Sequence, residues 1–280
     1  MLPIGLAGLA ALCWGSGDFV GGVLTKRLSA RLVLLVTQGA GLMFTGAVVL
    51  AVEPSPPASR AIAFGLLGGV LGAVGLAALY KGLAVGRMGI VAPIAAMSIV
   101  VPVTVGFLQG DRPSHVQIGG MVLAVVGAVL AATAPDPADG RRKAAEGLTY
   151  AVVAAVFLGG LLTCLDAAGD SSAVWSAFTL RLSSVPLLAI AALAARTSPR
   201  ALTGRDLGIL VGVGVVDNGA NILFSFAASR GLLALVSVIA SLVPVVTVLL
   251  ARFVLHEHLT RHQVVGVAIA LAGVALIAAG

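Results

Sequence analysis

The sequence predicts an all-α integral membrane protein with ten transmembrane helices, built as two inverted five-helix repeats. Three features predict this fold: the composition, the lengths of the apolar runs, and a similarity between the two halves of the chain. Hydrophobic residues make up 59% of the 280 residues and charged residues 10%, whereas soluble domains have about 25% charged residues. This apolar composition excludes a soluble globular domain. It also excludes disorder, which requires low hydrophobicity and high charge.

Ten apolar runs are long enough to cross a membrane, because about 20 helical residues span roughly 30 Å of hydrocarbon. The predicted spans are residues 2–24, 31–52, 61–80, 88–109, 116–134, 147–167, 173–195, 206–229, 232–255 and 263–279. The net charge of +6 comes mostly from basic residues in the short loops between these runs. No basic cluster alternates with aromatic residues. We therefore expect the lipid bilayer, and not nucleic acid, as the partner of these charges.

The two halves of the chain repeat. We expect a first repeat at residues 1–134, an inter-repeat loop at 135–146 and a second repeat at 147–280. Pro102 and Pro244 match at a separation of 142 residues. At a separation of 146 residues, Asp111, Ser114, Gln117, Gly120 and Gly127 match Glu257, Thr260, Gln263, Gly266 and Gly273. A repeat with an odd number of spans enters the membrane inverted in its second copy. Inverted repeats are typical of secondary transporters, whose substrate site lies near the midplane.

The basic residues also predict the orientation in the membrane. Lys and Arg are concentrated in the odd-numbered loops. The positive-inside rule then predicts that these loops are cytoplasmic and that both termini lie outside. No basic residue precedes the first apolar run, so we expect residues 2–24 to be a retained helix and not a signal peptide.

Several motifs resemble the drug/metabolite transporter superfamily, specifically its EamA-type members. They are Trp14-Gly15-Ser16, then Gly110-Asp111-Arg112 with Ser114, Gln117 and Gly120, then Pro244 and Glu257-His258-Leu259-Thr260 with Gln263 and Gly266. The resemblance covers essentially the whole chain. It implies a ten-helix transporter that moves small metabolites or drugs, often outward. Many members of the superfamily have both termini in the cytoplasm, which is opposite to the orientation that the basic residues predict here.

The first span is also similar, more distantly, to the small multidrug resistance proteins. In that family a buried acid is followed by Gly and then by Lys just beyond the membrane. Asp18, Gly21 and Lys26 have the matching spacing. This resemblance implies that Asp18 binds both the proton and the substrate. The second half has Gly160 at the corresponding position, so the site is asymmetric.

Three ionisable residues, Asp18, Arg181 and Asp217, fall within predicted spans. A charge at this depth costs about 2.5–3.5 kcal/mol on insertion scales and is a functional candidate by default. We predict that all three bind substrate and that Asp18 and Asp217 couple transport to protons. The structural alternative for Arg181 and Asp217 is a neutralising ion pair between the seventh and eighth spans. For Asp18 the alternative is hydrogen bonding near the helix end.

Four other residues complete the predicted substrate site. Asn218 and Asn221 flank Asp217, and Asn221 shares its helix face. Hydrogen bonds between helices explain these two residues equally well. Gln38 occupies the position equivalent to Arg181 in the other repeat. Trp14 could stack on an aromatic or cationic ligand.

Pro102 and Pro244 lie at equivalent positions in the fourth and ninth spans, and we predict that they take part in gating. A proline frees a backbone carbonyl and bends the helix, and irregular backbone at membrane depth is tolerated where it lines a cavity. The alternative is a tolerated kink without a role in transport. His258 and His262 are four residues apart, as in some metal sites, but this stretch is not an HExxH motif and lies at a loop-to-helix junction. We therefore expect no metal and no cofactor.

Together these features predict a secondary active transporter of a small metabolite, amino acid-like, or of a drug. We expect it to export this substrate by proton-coupled alternating access, as a monomer or homodimer, from a bacterial inner membrane. A passive facilitator or channel is the alternative. An intramembrane enzyme has the least support, because the apolar runs contain no Ser/His dyad, no paired-acid metal motif and no HExxH helix.

Overall fold

The chain folds into long apolar helices, because helices satisfy their own backbone hydrogen bonds where water is absent. The computed structural model describes residues 2–25, 27–85, 91, 94–132, 141–197, 202–256 and 259–280. The helices are α1 Leu2–Thr25, α2 Ala30–Val52, α3 Ser59–Val85, α4 Val100–Gln109, α5 His115–Ala132, α6 Arg141–Gly169, α7 Ala173–Ala194, α8 Gly204–Ala228, α9 Leu233–Ala240, α10 Val243–Val254 and α11 Arg261–Ala279. The described residues contain no strand.

The predicted all-α membrane fold is confirmed. In the described part of the chain, nine helical segments are long and apolar enough to cross a membrane, with 233–254 counted as one segment. A shorter apolar helical segment, Ile94–Gln109, corresponds to the predicted fourth span. Residues with large apolar side chains cover the outside: Met43, Leu108 and Leu193 are 75%, 82% and 77% exposed. Such a surface fits lipid.

One predicted boundary differs from the structure. The sequence predicts the inter-repeat loop over residues 135–146, whereas α6 already begins at Arg141. Arg, Lys, Ala and Glu are good helix formers, so a helix can continue beyond its apolar run into a charged segment. Lys26, Gly89, Pro93, Glu257, His258 and residues 133–140 lie outside the described residues.

Equivalent polar residues begin the last helix of each repeat. At α5, the Gln117 amide N–H donates to Ser114 Oγ at 3.2 Å, and the Ser114 N–H donates to Gln117 Oε1 at 2.9 Å. At α11, Thr260 and Gln263 make the same two hydrogen bonds at 3.3 and 2.9 Å. Both pairs form capping boxes, which satisfy amide groups that a helix start leaves free. The matches found between the halves therefore reflect a shared local structure.

The two repeats are interleaved. The most extensive helix contacts join helices of different repeats: α3 with α6 and α7, α5 with α11, α1 with α8, and α2 with α7 and α8. Glycines permit the closest of these approaches. A Cβ added to Gly120 would lie 2.7 Å from the Gly273 carbonyl oxygen, and one added to Gly273 would lie 2.6 Å from the Gly120 oxygen. This reciprocal contact is what a two-fold relation between inverted repeats produces.

The fourth and ninth spans are both irregular next to a proline. The ninth span breaks between α9 and α10, and Pro244 is the second residue of α10. In the fourth span, the 3₁₀ turn Met97–Ile99 precedes α4, which contains Pro102. Neither segment is a continuous α-helix, as expected for residues that lack a backbone N–H.

The helix ends form two membrane faces of different charge. The basic face carries Arg27, Arg205 and Arg252, at the ends of α1 and α10 and the start of α8. The opposite face carries Glu53, Asp170 and Arg230, beside the start of α7 and the end of α8, so acids and arginines are mixed there. The predicted site residues lie between these two faces.

Candidate functional site

Arg181 is the centre of a buried polar cluster between α2, α7 and α8. Its Nε donates to Asn218 Oδ1 at 2.6 Å, its Nη2 donates to Asp217 Oδ2 at 2.6 Å, and its Nη1 donates to Gln38 Oε1. The side chain is only 6% exposed. A guanidinium can be buried at this depth because each of its nitrogens has an acceptor and its charge has a counterion.

The acceptors around Arg181 are themselves held in place. The Asn218 amide donates to the Gly214 carbonyl at 2.8 Å, and Ser184 Oγ donates to Gln38 Oε1 at 3.3 Å. Gly41 in α2 is necessary for this packing, since any Cβ there would overlap the Asn218 side chain. The cluster is therefore closely packed and hydrogen-bonded on several sides.

Asn221 does not join this cluster. Its amide donates to the backbone carbonyl of Asp217 at 3.1 Å, within α8, and its side chain is buried. Sequence spacing correctly placed Asn221 and Asp217 on one helix face. It did not distinguish a bond to the carboxylate from a bond to the backbone. Binding of substrate by Asn221 stays a prediction.

Asp18 has a different environment from Asp217. Its side chain is exposed on α1, and it makes no hydrogen bond or ion pair with any residue that the structure describes. The carboxyl group nevertheless lies close enough to Asp217 for the two to interact electrostatically. Asp217 is 29% exposed. The space between these two accessible carboxyl groups is therefore the candidate site.

Tyr80 of α3 borders the same space. It is 37% exposed, and its hydroxyl lies within electrostatic range of both Asp18 and Asp217. We use the name central cavity for the space bordered by Asp18, Tyr80 and Asp217. Helices α1 and α3 of the first repeat and α8 of the second thus border one candidate site, an arrangement typical of inverted-repeat transporters.

Trp14 lies one helical turn before Asp18 on the same face of α1. Its ring packs against Phe224 of α8, with ring centroids 5.7 Å apart and the planes tilted by 41°. Phe224 is fully buried, whereas Trp14 is only partly buried. Trp14 therefore has a fixed position beside the central cavity and a partly free surface.

The predicted gating prolines do not contact the central acids directly. They lie on spans that press against the first helix of the other repeat. Thr247 of α10 donates to the Gly15 carbonyl at 3.3 Å, and a Cβ on Gly15 would lie 3.0 Å from the Val243 carbonyl oxygen. Gly159 of α6 meets Val101 of α4 in the equivalent way. A movement of either span would therefore reach α1 or α6.

Three acids outside the central cavity make contacts that the sequence analysis did not predict. Asp206 at the start of α8 forms an ion pair with Arg27 and a capping box with Thr203. Asp111 Oδ2 accepts the Ala234 amide N–H at 2.8 Å and so caps α9 of the other repeat. Asp166 is 7% exposed and lies within electrostatic range of Asp111. The spacing of Thr203 and Asp206 could have predicted the capping role of Asp206. The contacts of Asp111 and Asp166 join the two repeats and have no local sequence signal.

The described residues contain no group of three or more His, Cys, Asp or Glu side chains arranged to hold a metal ion. Cys13 and Cys164 are both free thiols.

Comparison with known proteins identifies the family. The model of the EamA-like transporter family matches residues 1–133 and 145–279. The chain belongs to the EamA-like transporter family. This EamA-like protein is thus a multi-pass membrane protein of a transporter family, and the resemblance seen in its motifs is confirmed. No curated protein matches the chain.

The fold of this EamA-like protein is also similar to solved structures. One, described as "Crystal structure of protein", is 18% identical in sequence with a TM-score of 0.79. The match covers 98% of this chain and 96% of the other. At this identity the likeness concerns the fold alone.

Proposed function

We propose that this protein is a secondary transporter that exports a small amine-bearing metabolite or drug in exchange for protons. The cycle is alternating access, in which the interleaved repeats rock around the central cavity of a bacterial inner-membrane protein. The observation that carries the proposal is Asp18, an exposed acid within a membrane-spanning helix that has no partner among the described residues. An ionisable group at this depth is costly to insert, so one without a structural partner is a functional candidate.

Asp18 suits coupling better than Asp217 does. The Asp217 carboxylate already has Arg181 as its counterion. Asp18 can be neutralised either by a proton or by a cationic substrate. A single acid that binds one or the other, and never both, enforces exchange. Asp217 lies in electrostatic range and adds negative potential to the cavity.

The substrate class follows from the charges in the cavity. A zwitterionic amino acid needs a cation for its carboxylate, and among the described residues Arg181 is the cation at this depth. All three of its nitrogens are bonded to Gln38, Asn218 and Asp217, and it is almost fully buried. We therefore favour an amine without a carboxylate over an amino acid. Trp14 and Tyr80 supply aromatic faces that attract cations.

A monomer is sufficient for this mechanism. Both repeats are in one chain, and the helices that border the cavity come from both. No second copy is required to complete the site. A homodimer remains compatible with it.

The proposal can be tested by proton movement in liposomes that contain purified protein and a pH-sensitive dye in the lumen, because exchange of one cationic amine for one proton moves no net charge. Amines and amino acids are applied with and without a pH gradient. We expect amine-dependent changes of internal pH and gradient-driven amine transport, both of which disappear in Asp18→Asn. Asp170→Asn, which removes the same charge from an exposed position at the opposite face, is the matched control. Gradient-driven transport that persists in Asp18→Asn would refute the coupling role. Transport that ignores the gradient would instead indicate a passive facilitator.

A further inference from the structure

We infer that a cavity at the basic face binds one anionic phospholipid. The cavity lies between the end of α1, the start of α8 and the end of α10, and has a volume of about 400 Å³. Its apolar wall consists of Phe19, Val20, Val23, Ile209, Val254 and Leu255. Arg27 and Arg205 lie at its polar rim. We call it the basic-face cavity.

The cavity exists because α1 and α10 separate toward the basic face. Nearer the middle of the membrane the two helices touch, with Gly15 against Val243 and Val246. Toward the helix ends, Val23 of α1 is 36% exposed and Val254 of α10 is 56% exposed. These side chains line a wedge at bilayer depth. At this depth in the bilayer, the apolar group that can fill the wedge is a lipid acyl chain.

The rim carries an uncompensated positive charge. The Asp206 carboxylate accepts from Arg27, from the Thr203 hydroxyl at 2.7 Å and from the Thr203 N–H at 3.2 Å. This acid therefore neutralises Arg27. Arg205 is exposed and has no counterion among the described residues. A phosphate near Arg205 would balance its charge.

Charge and shape together select the occupant. A free phosphate would satisfy Arg205 but leave the apolar wall uncovered. The amine-bearing solute proposed as substrate would be repelled by Arg205, so the cavity is not its entry path. An anionic phospholipid satisfies both parts. Basic pockets between helices on the cytoplasmic side are a recognised type of lipid site.

Native mass spectrometry of the full-length protein in mild detergent tests the inference. Phosphatidylglycerol and phosphatidylcholine are each titrated into wild type, Arg205→Gln, Val23→Trp and the control Arg112→Gln, which removes an exposed arginine from the opposite face. We expect one phosphatidylglycerol per protein, bound about fivefold more weakly by Arg205→Gln. Val23→Trp should reduce binding because the indole occupies the wedge, and Arg112→Gln should bind as wild type does.

Three results would overturn the inference. Equal binding of the two lipids would mean that the charged rim selects nothing. Equal loss in Arg205→Gln and Arg112→Gln would mean that only net charge matters. Binding of glycerol phosphate at the same affinity would identify a soluble phosphate site and not a lipid site. Thermal unfolding of each variant distinguishes lost binding from lost folding.

Discussion

Gln38 and Arg181 occupy equivalent positions in the two repeats and are hydrogen-bonded to each other across 143 residues of sequence. Two equivalent residues meet only where they lie on the axis that relates the repeats. The charges around this contact are not symmetric. In the Arg181 cluster the second repeat supplies Arg181, Asp217 and Asn218, while the first supplies the neutral amide of Gln38. The cluster thus joins the two repeats but takes its charged residues from the second.

The Arg181–Asp217 ion pair is expected to stabilise the fold mainly by avoiding an isolated charge. Arg181→Met should lower the free energy of unfolding by about 3 kcal/mol, because Asp217 is then left without its counterion. The double variant Arg181→Met/Asp217→Asn should recover much of this loss. Unfolding in mixed micelles measures both. Equal destabilisation of the single and double variants would show that packing of the arginine, and not its charge, is what matters.

The crossing of α5 and α11 is expected to tolerate no side chain at Gly120. A Cβ there would lie 2.7 Å from the Gly273 carbonyl oxygen. Gly120→Ala should therefore destabilise the protein by about 1–3 kcal/mol. The neighbouring Gly119 has open space around it, so Gly119→Ala should be neutral or slightly stabilising. Thermal melts of the two variants compare them directly, and matching melting temperatures would contradict this contact.

Pro244 is expected to keep the ninth span flexible during transport. Alanine at this position restores an N–H that can bond to the Ala240 carbonyl and join α9 to α10. One extra hydrogen bond that must break in each cycle would slow transport by roughly fivefold. Folding stability should be unchanged or slightly higher. Val243→Ala is the control, and the rate of substrate exchange is the measurement. An unchanged rate in Pro244→Ala would indicate a tolerated kink.

The orientation predicted from the basic residues can be tested by cysteine labelling. Cys13 and Cys164 are first replaced by alanine. A single cysteine is then placed at Ser55, exposed on the opposite face, or at Ala195, exposed on the basic face. An impermeant maleimide applied to intact cells should label the cysteine at 55, and the cysteine at 195 should react only after lysis. The reverse pattern would agree with the cytoplasmic termini of many superfamily members.

Much of the candidate site was predictable from single residues. An arginine and an aspartate within neighbouring apolar runs had to neutralise each other or serve transport, and Arg181 and Asp217 do pair. The match of Gln38 with Arg181 came from the repeat. The role of Asn218 as an acceptor for Arg181 was not distinguishable from that of Asn221, because both were near Asp217 in sequence.

The sequence by itself determined the membrane class, the helical spans, the inverted repeat and the matched polar residues that begin α5 and α11. These depend on local properties: hydropathy over the thickness of a bilayer, an odd number of spans, and hydrogen bonds within three residues. Only the tertiary structure decided that the Asp18 carboxylate is exposed while Asp217 pairs with Arg181. It alone also decided that Gly120 contacts Gly273. These outcomes depend on how far each helix is rotated about its axis. That rotation is set by packing against helices from the other repeat, which no local pattern encodes.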